Sequence, residues 1–292
     1  MNVALFGKSV DANDIPYIQG MVSLLESFGG RIHVYDLFFR QVKEQLQFSS
    51  PPLLFHGQEE IRGKADYLFS IGGDGTMLDS IPLVGDSGIP VAGINLGRMG
   101  FLSGISKEEI PSALEEIRNR QFILDQRTLL RLETPDRLFG DHNYALNDIT
   151  VCKNSLSSML SIRTWVNDEF LNSYWADGLI VATPTGSTAY SLSCTGPIIT
   201  PGSENFVITP IASHNLTVRP IVIRDDSVIR IQVAGRKLDY SITLDSRIEK
   251  MESSVELVIR REEFRVSLIR LKNKNFFNTI REKLKWGLDL RN

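Results

Sequence analysis

The chain has 292 residues, 42% of them apolar, which is ordinary for a globular protein with a full core in one large domain or two associated ones. A formal charge of −3 argues against a nucleic-acid-binding surface over the whole molecule. Cys152 and Cys194 form no Cys-x-x-Cys pair, and His33, His56, His142 and His214 show no zinc-ligand spacing. The N-terminal run meets Lys8 before a signal-peptide core could form, and no apolar run approaches the roughly 20 residues that span a bilayer, so the sequence reads as a cytoplasmic protein without a membrane segment.

Strands and helices alternate through the first 125 residues. Val3–Phe6 is a short apolar run. A helix is expected from about Ile15 to Phe28, where Ile18, Met21, Val22 and Leu25 share one face, and Gly29-Gly30 stops it. Arg31–Tyr35, Tyr67–Ile71 and Pro90–Ile94 read as further strands. Ser106 with Glu109 makes a capping-box pattern ahead of another helix. This alternation predicts a mostly parallel sheet covered on both faces.

From about Phe122 the texture changes to short alternating segments: Leu129–Glu133, Ile149–Cys152, Leu160–Val166, Gly178–Ala182, Val228–Val233, Ser254–Ile259 and Phe264–Leu268. They predict a β-rich second domain. Helical spacing returns around Phe276–Trp286. Between Arg260 and Asn292 stand 10 Lys/Arg against 4 Asp/Glu, which reads either as a solvated helix face or as a helix beside an anionic ligand.

The strongest local signal is Ile71-Gly72-Gly73-Asp74-Gly75-Thr76, where an apolar strand runs into three glycines and a helix start. Glycines let the backbone approach a ligand, and a helix N-terminus offers free N–H groups to phosphate. Asp74 repels phosphate, so its chemical use would be to take a proton from an attacking hydroxyl or to help hold a metal ion. A plain helix-capping turn is the alternative. Gly7-Lys8-Ser9 resembles the end of a P-loop, but Asn2 stands where that motif needs its first glycine, and the Gly72–Thr76 loop is no such motif either. Nor is it a dinucleotide fingerprint, since Leu78 occupies the last glycine position.

Other segments can be read for chemistry. Asn95–Phe101 follows a strand, and Phe101 offers a flat face to a base or serves the core. Asp177–Ser191 couples a buried strand to a turn crowded with small hydroxyl residues, suited to ribose and phosphate or simply a surface turn. Asn147-Asp148 and Asp245 are polar residues at strand ends, and each alone reads more readily as a turn residue than as a ligand contact.

Taken together these residues resemble the NAD kinase family. The resemblance rests on GGDGT at Gly72–Thr76, NLGRMGF at Asn95–Phe101, ND at Asn147–Asp148, DGLIVATPTGSTAYS at Asp177–Ser191, the segment Pro210–Pro220, Asp245, and KLKWG at Lys283–Gly287. It spans about Asp66 to Gly287, and the Thr183–Ser191 run is far more specific than GGDGT, which lipid kinases and phosphofructokinases share. The resemblance implies phosphorylation of the 2′-hydroxyl of the adenosine ribose of NAD to give NADP, with ATP as donor and a divalent metal ion such as Mg²⁺ as cofactor. It implies that Asp74 activates the hydroxyl. Gly75, Phe101, Asn147 and Asp148 would contact the dinucleotide, and Asp177, Thr188, Ala189, Tyr190 and Ser193 would line the rest of the site.

The implied architecture is an α/β N-terminal domain with a Rossmann-like parallel sheet over residues 1–124 and a β-rich C-terminal domain over 125–272. Residues 273–292 would return to the first domain, in a homodimer or homotetramer. Four positions depart from the family pattern. Asp148 replaces a frequent Glu and sets its carboxylate back by about one methylene. Trp175 stands where many members have Arg, which bears on NAD against NADH preference. Cys194-Thr195 replaces a small Ala-Gly type pair, and Asp245-Ser246-Arg247 replaces a common Asp-Gly-Gln. The rival expectations are a lipid or sugar kinase sharing only the GGDGT loop, and a non-catalytic dinucleotide sensor.

Overall fold

The computed structural model describes residues 1–97, 100–154, 159–234 and 239–286. The chain divides into two compact units, Met1–Gln126 with Val266–Asn292, and Arg127–Arg265.

In the first unit the strands are β1 (Val3–Gly7), β2 (Ile32–Tyr35), β3 (Leu53–Phe55), β4 (Tyr67–Ile71), β5 (Val91–Asn95), the two-residue β6 (Ile105–Ser106) and the start of β7 (Phe122–Glu133). Helices α1 (Ile15–Ser27), α2 (Asp36–Val42), α3 (Gln58–Ile61), α4 (Asp74–Val84) and α5 (Ile110–Arg118) lie between them. The order β5-β4-β1-β2-β3 is parallel throughout. β1 is buried along its whole length and β4 along most of it, which is why both read as uninterrupted apolar runs. The apolar face of α1 (Ile18, Met21, Val22, Leu25) packs with Val3, Leu5 and the α5 residues Leu114 and Ile117. Ser106 and Glu109 form the reciprocal capping box as expected.

The second unit takes the rest of β7, then β8 (Tyr144–Ala145), β9 (Asp148–Lys153), β10 (Leu160–Val166), β11 (Glu169–Ala176), β12 (Gly178–Ala182), α6 (Tyr190–Ser193), β13 (Asn205–Ile211), β14 (Ile221–Arg224), β15 (Ile229–Ala234), β16 (Tyr240–Leu244) and β17 (Arg247–Met251). Among the described residues, six strands form one sheet in the order β14-β13-β12-β9-β16-β17, antiparallel at every pairing. A second antiparallel run is β11-β10-β15, continued by the first part of β18 (Glu256–Leu271). Ile149, Val151, Leu179, Val181, Phe206 and Ile242 share a core with Ile162, Ile231 and Leu257. The alternate β12 residues Ile180 and Ala182 meet Ile199, Val207 and Ile211 on the opposite face, so every residue of β12 is buried.

The segments expected at Ser254–Ile259 and Phe264–Leu268 fall in one strand, not two, and it begins at Glu256. β18 runs unbroken for 16 residues. Its charged middle is held by ion pairs, Arg260 with Glu133 at 2.8 Å and Arg261 with Asp225 at 3.0 Å. Its last part belongs to the first unit, where Leu268 pairs in parallel with Val91 of β5, and α7 (Phe276–Leu284) follows. No described helix is long and apolar enough to cross a membrane.

Candidate active site

The Gly72–Thr76 loop is shaped by its two ends. Ile71 is buried at the tip of β4, and Gly72 turns away with φ +148°, a conformation only glycine adopts cheaply. Gly73 is extended and caps α4, so Asp74 is the first helical residue and Gly75 and Thr76 follow in the first turn. Backbone N–H groups of that turn have no partner within the helix. A side chain on Gly75 would meet open space, and Gly75 itself is exposed.

Asp74 does not cap its own helix. Its Oδ2 accepts the N–H of Phe101 at 2.7 Å, and its Oδ1 accepts the N–H groups of Leu102 and Ser103 at 3.1 and 2.9 Å. The loop comes so close that a Cβ on Gly100 would overlap the carboxylate, which accounts for glycine there. An ionised carboxylate has about four lone-pair directions, so one remains for a ligand hydroxyl. Phe101 is half-buried. Arg98 and Met99 of the same motif, and Gly287 of the last one, lie outside the described residues.

In the second unit the peptide groups of Leu146, Asn147 and Asp148 are held from both sides. Their N–H groups all donate to the Asp245 carboxylate, at 2.8, 2.7 and 3.3 Å. Their carbonyls accept the Thr183 hydroxyl at 2.6 Å, the Thr183 N–H at 2.9 Å and the Asp245 N–H at 3.1 Å, respectively. Thr183 Oγ1 in turn accepts the Gly186 N–H at 3.1 Å. Asp245 has φ +54°, which aspartate tolerates better than most residues, at the two-residue turn between β16 and β17.

This clamp presents two side chains. Asn147 is 8% exposed and, among the described residues, its Oδ1 has no hydrogen-bond partner, which leaves an acceptor in want of a donor. Asp148 is 7% exposed, and its Oδ1 accepts the Thr150 hydroxyl at 2.9 Å. Burial, and then the charge of Asp245, push the Asp148 carboxyl up to about 7, against a smaller downward pull from Thr150. Burial also raises Asp245, opposed by the backbone N–H groups it accepts.

Asp177 ion-pairs with Lys153 at 2.6 Å. Thr188, Ala189, Tyr190 and Ser193 follow β12 in two short helical turns, with Tyr190 45% exposed and Ser193 open to solvent. Burial raises the Tyr190 phenol, and the charges of Cys194, Cys152, Asp148 and Asp177 raise it further, so these groups share one neighbourhood. The second unit therefore gathers Asn147, Asp148, Asp177 and Tyr190, while Gly72–Thr76 and Phe101 belong to the first. Trp175, at 56% exposure, offers a flat apolar ring where a cation was expected from the resemblance.

A model of the ATP-NAD kinase N-terminal domain matches residues 39–122, and one of the ATP-NAD kinase C-terminal domain matches residues 146–271. The chain belongs to the ATP-NAD kinase family. The NAD kinase of Cytophaga hutchinsonii is 42% identical over 293 residues, covering 100% of both chains, and that of Bacteroides fragilis is 42% identical over 292 residues with the same coverage. Among solved structures, the fold is shared with yeast NADH kinase complexed with NADH (TM-score 0.88, 24% identity, 100% of this chain and 89% of that one). It is shared also with an Archaeoglobus fulgidus NAD kinase in complex with ATP (TM-score 0.74, 22% identity, 98% and 99%). Membership over the full length favours NAD kinase over a lipid or sugar kinase that shares only one loop.

Asp245 and Thr183 both stand in segments singled out from the sequence, but the way they position backbone does not show there. Asp245 reads as a turn residue, yet it organises backbone 97 to 99 positions away. Thr183 reads as one hydroxyl among many. Their partners are distant in sequence, and no local pattern signals them.

Proposed function

We propose that in this ATP-NAD kinase family member Asp74 accepts the proton of the adenosine 2′-hydroxyl of NAD as that oxygen attacks the γ-phosphorus of ATP. The new bond is O2′–P, the bond broken is from γ-phosphorus to the bridging β-oxygen, and the products are NADP and ADP. A ribose hydroxyl is a poor nucleophile near neutral pH until a base takes its proton. The observation that carries this reading is the Asp74 carboxylate, fixed by three backbone N–H donors with one acceptor direction to spare. Those donors fix its orientation, and phosphoryl transfer asks chiefly for positioning and charge neutralisation.

Gly72, Gly73, Gly75 and Thr76 take phosphate through backbone N–H groups. Phe101 offers a ring to the dinucleotide. The unpartnered Asn147 Oδ1 accepts from an amino or hydroxyl group of the same molecule, and Asp148 holds a ribose hydroxyl. From the second unit, Asp177, Thr188, Ala189, Tyr190 and Ser193 are assigned as further dinucleotide contacts, with Asp245 holding the backbone behind Asn147 and Asp148.

Among the described residues no group of three or more His, Cys, Asp or Glu could hold a metal ion. A Mg²⁺ ion would be held mainly through nucleotide phosphates, with Asp74 the carboxylate of the phosphate loop, and would neutralise phosphate charge. We assign the protein to the cytoplasm as a homodimer or homotetramer. NAD and MgATP supplied to the protein should yield NADP, read by coupling to an NADP-specific dehydrogenase. Asp74→Asn should lower the rate at least about 10²-fold while NAD still binds. Undiminished turnover in that variant removes Asp74 from the chemistry.

A further inference from the structure

The excess of positive charge near the C-terminus admits two readings, a solvated helix face or a helix beside an anionic site. Topology bears on the choice. β18 ends parallel to β5, so the chain leaves the sheet at the edge where β4 and β5 deliver the Asp74 and Phe101 loops. Such carboxyl ends are where open α/β sheets bind ligands. Helix α7 is anchored there by three features. The Asn275 side chain caps its N-terminus, Ile280 is buried, and Lys274 just before it pairs with Glu109 at 2.7 Å.

The helix then holds Lys283 with its Nζ 5.5 Å from the centroid of the Phe101 ring. Phe101 is the residue whose N–H binds Asp74 Oδ2 at 2.7 Å. Lys283 is exposed and, among the described residues, pairs with no carboxylate. A cation over a ring face is attracted by the ring quadrupole, so Lys283 favours the ring orientation that faces it.

We propose that Lys283 is a positioning residue for the phosphoryl transfer. It acts through Phe101, whose ring it orients for the dinucleotide and whose backbone it keeps against Asp74. The proposal rests on the assignment of Asp74 and Phe101 to the NAD site.

Its test is a double-mutant cycle on the full-length protein, with kcat and KM for NAD and for ATP measured alongside Tm. Lys283→Met keeps the apolar stem and removes the charge. It should lower kcat/KM for NAD about fivefold, with KM for ATP within about twofold and Tm within about 2 °C. Lys283→Arg, which also stacks on aromatic faces, should restore most of the loss. In a Phe101→Leu background, Lys283→Met should add nothing. An equal loss in both backgrounds, a rise in KM for ATP instead, or no loss at all overturns the proposal. Failure of the NAD kinase reading would appear separately, as an unmutated protein that makes no NADP.

Discussion

Asp148 gives the fold a pH dependence that a single isosteric change should remove. Its carboxyl is displaced from 3.8 to about 7 because it is buried and faces Asp245. At about 1.4 kcal/mol per pH unit, ionising this group in the folded protein forfeits about 4 kcal/mol relative to the unfolded chain. The folded value is the higher one. The stability is therefore fully present below the unfolded value near 3.8 and is lost as pH rises through about 7. Between about pH 5 and pH 8 the loss should be about 2.5 kcal/mol.

Asp148→Asn keeps an oxygen to accept the Thr150 hydroxyl and cannot ionise. Equilibrium urea unfolding across that range should show the unmutated protein losing stability with rising pH and the variant losing much less. Asp245 titrates too, so the difference between the two proteins is the quantity to read. At pH 8 the variant should be the more stable protein and the poorer enzyme, with a raised KM for NAD. Parallel pH slopes would refute both the burial of this charge and its coupling to Asp245.

Two further substitutions test the clamp and the loop. In Asp245→Asn an amide N–H₂ must face one of three backbone donors, which should cost about 1–3 kcal/mol in urea unfolding. Losing that charge should also move the Asp148 titration downward, shifting the pH window over which stability falls to lower pH. Gly100→Ala puts a methyl group into the Asp74 carboxylate and should push the 100–103 loop away. We expect about a 10²-fold lower kcat at pH 7 with the fold retained by circular dichroism, because displacing a catalytic group by about 1 Å costs that much.

Periodicity recovers those elements whose surroundings are uniform. The run Gly178–Ala182 is buried on both faces, and α1 shows one apolar face against the core. Misreadings follow from residues whose environment is set by distant partners. The charged Arg260–Glu263 stretch looks like a break, but Glu133 and Asp225 neutralise two of its arginines and let β18 continue. Asn205–Ile211 contains Pro210, which argues against a strand, as a missing N–H breaks a ladder. The β14 ladder covers only Asn205–Ile208, so Pro210 lies beyond it and faces Leu179 of β12 alone.

The candidate site divides in the same way. GGDGT and Asn147-Asp148 are contiguous and visible as motifs. That Asp74 is held by residues 101–103, or Leu146–Asp148 by Asp245, depends on chain crossings that no short window contains. The passage from one unit to the other falls inside β7 and inside β18; the texture changes near the first crossing, but nothing in the composition of β18 marks the second.

The late return of β18 has a consequence for synthesis. The neighbour of β5 in the parallel sheet, and the helix beyond it, are encoded after the whole second unit. While the ribosome is still translating residues 127–265, the first unit has an open flank along the start of β5, since β6 pairs only with Ile94 and Asn95. Such an edge invites pairing with another nascent chain. Protection must come from speed of completion or from a chaperone, and a message truncated before Val266 should give aggregates rather than a smaller folded protein.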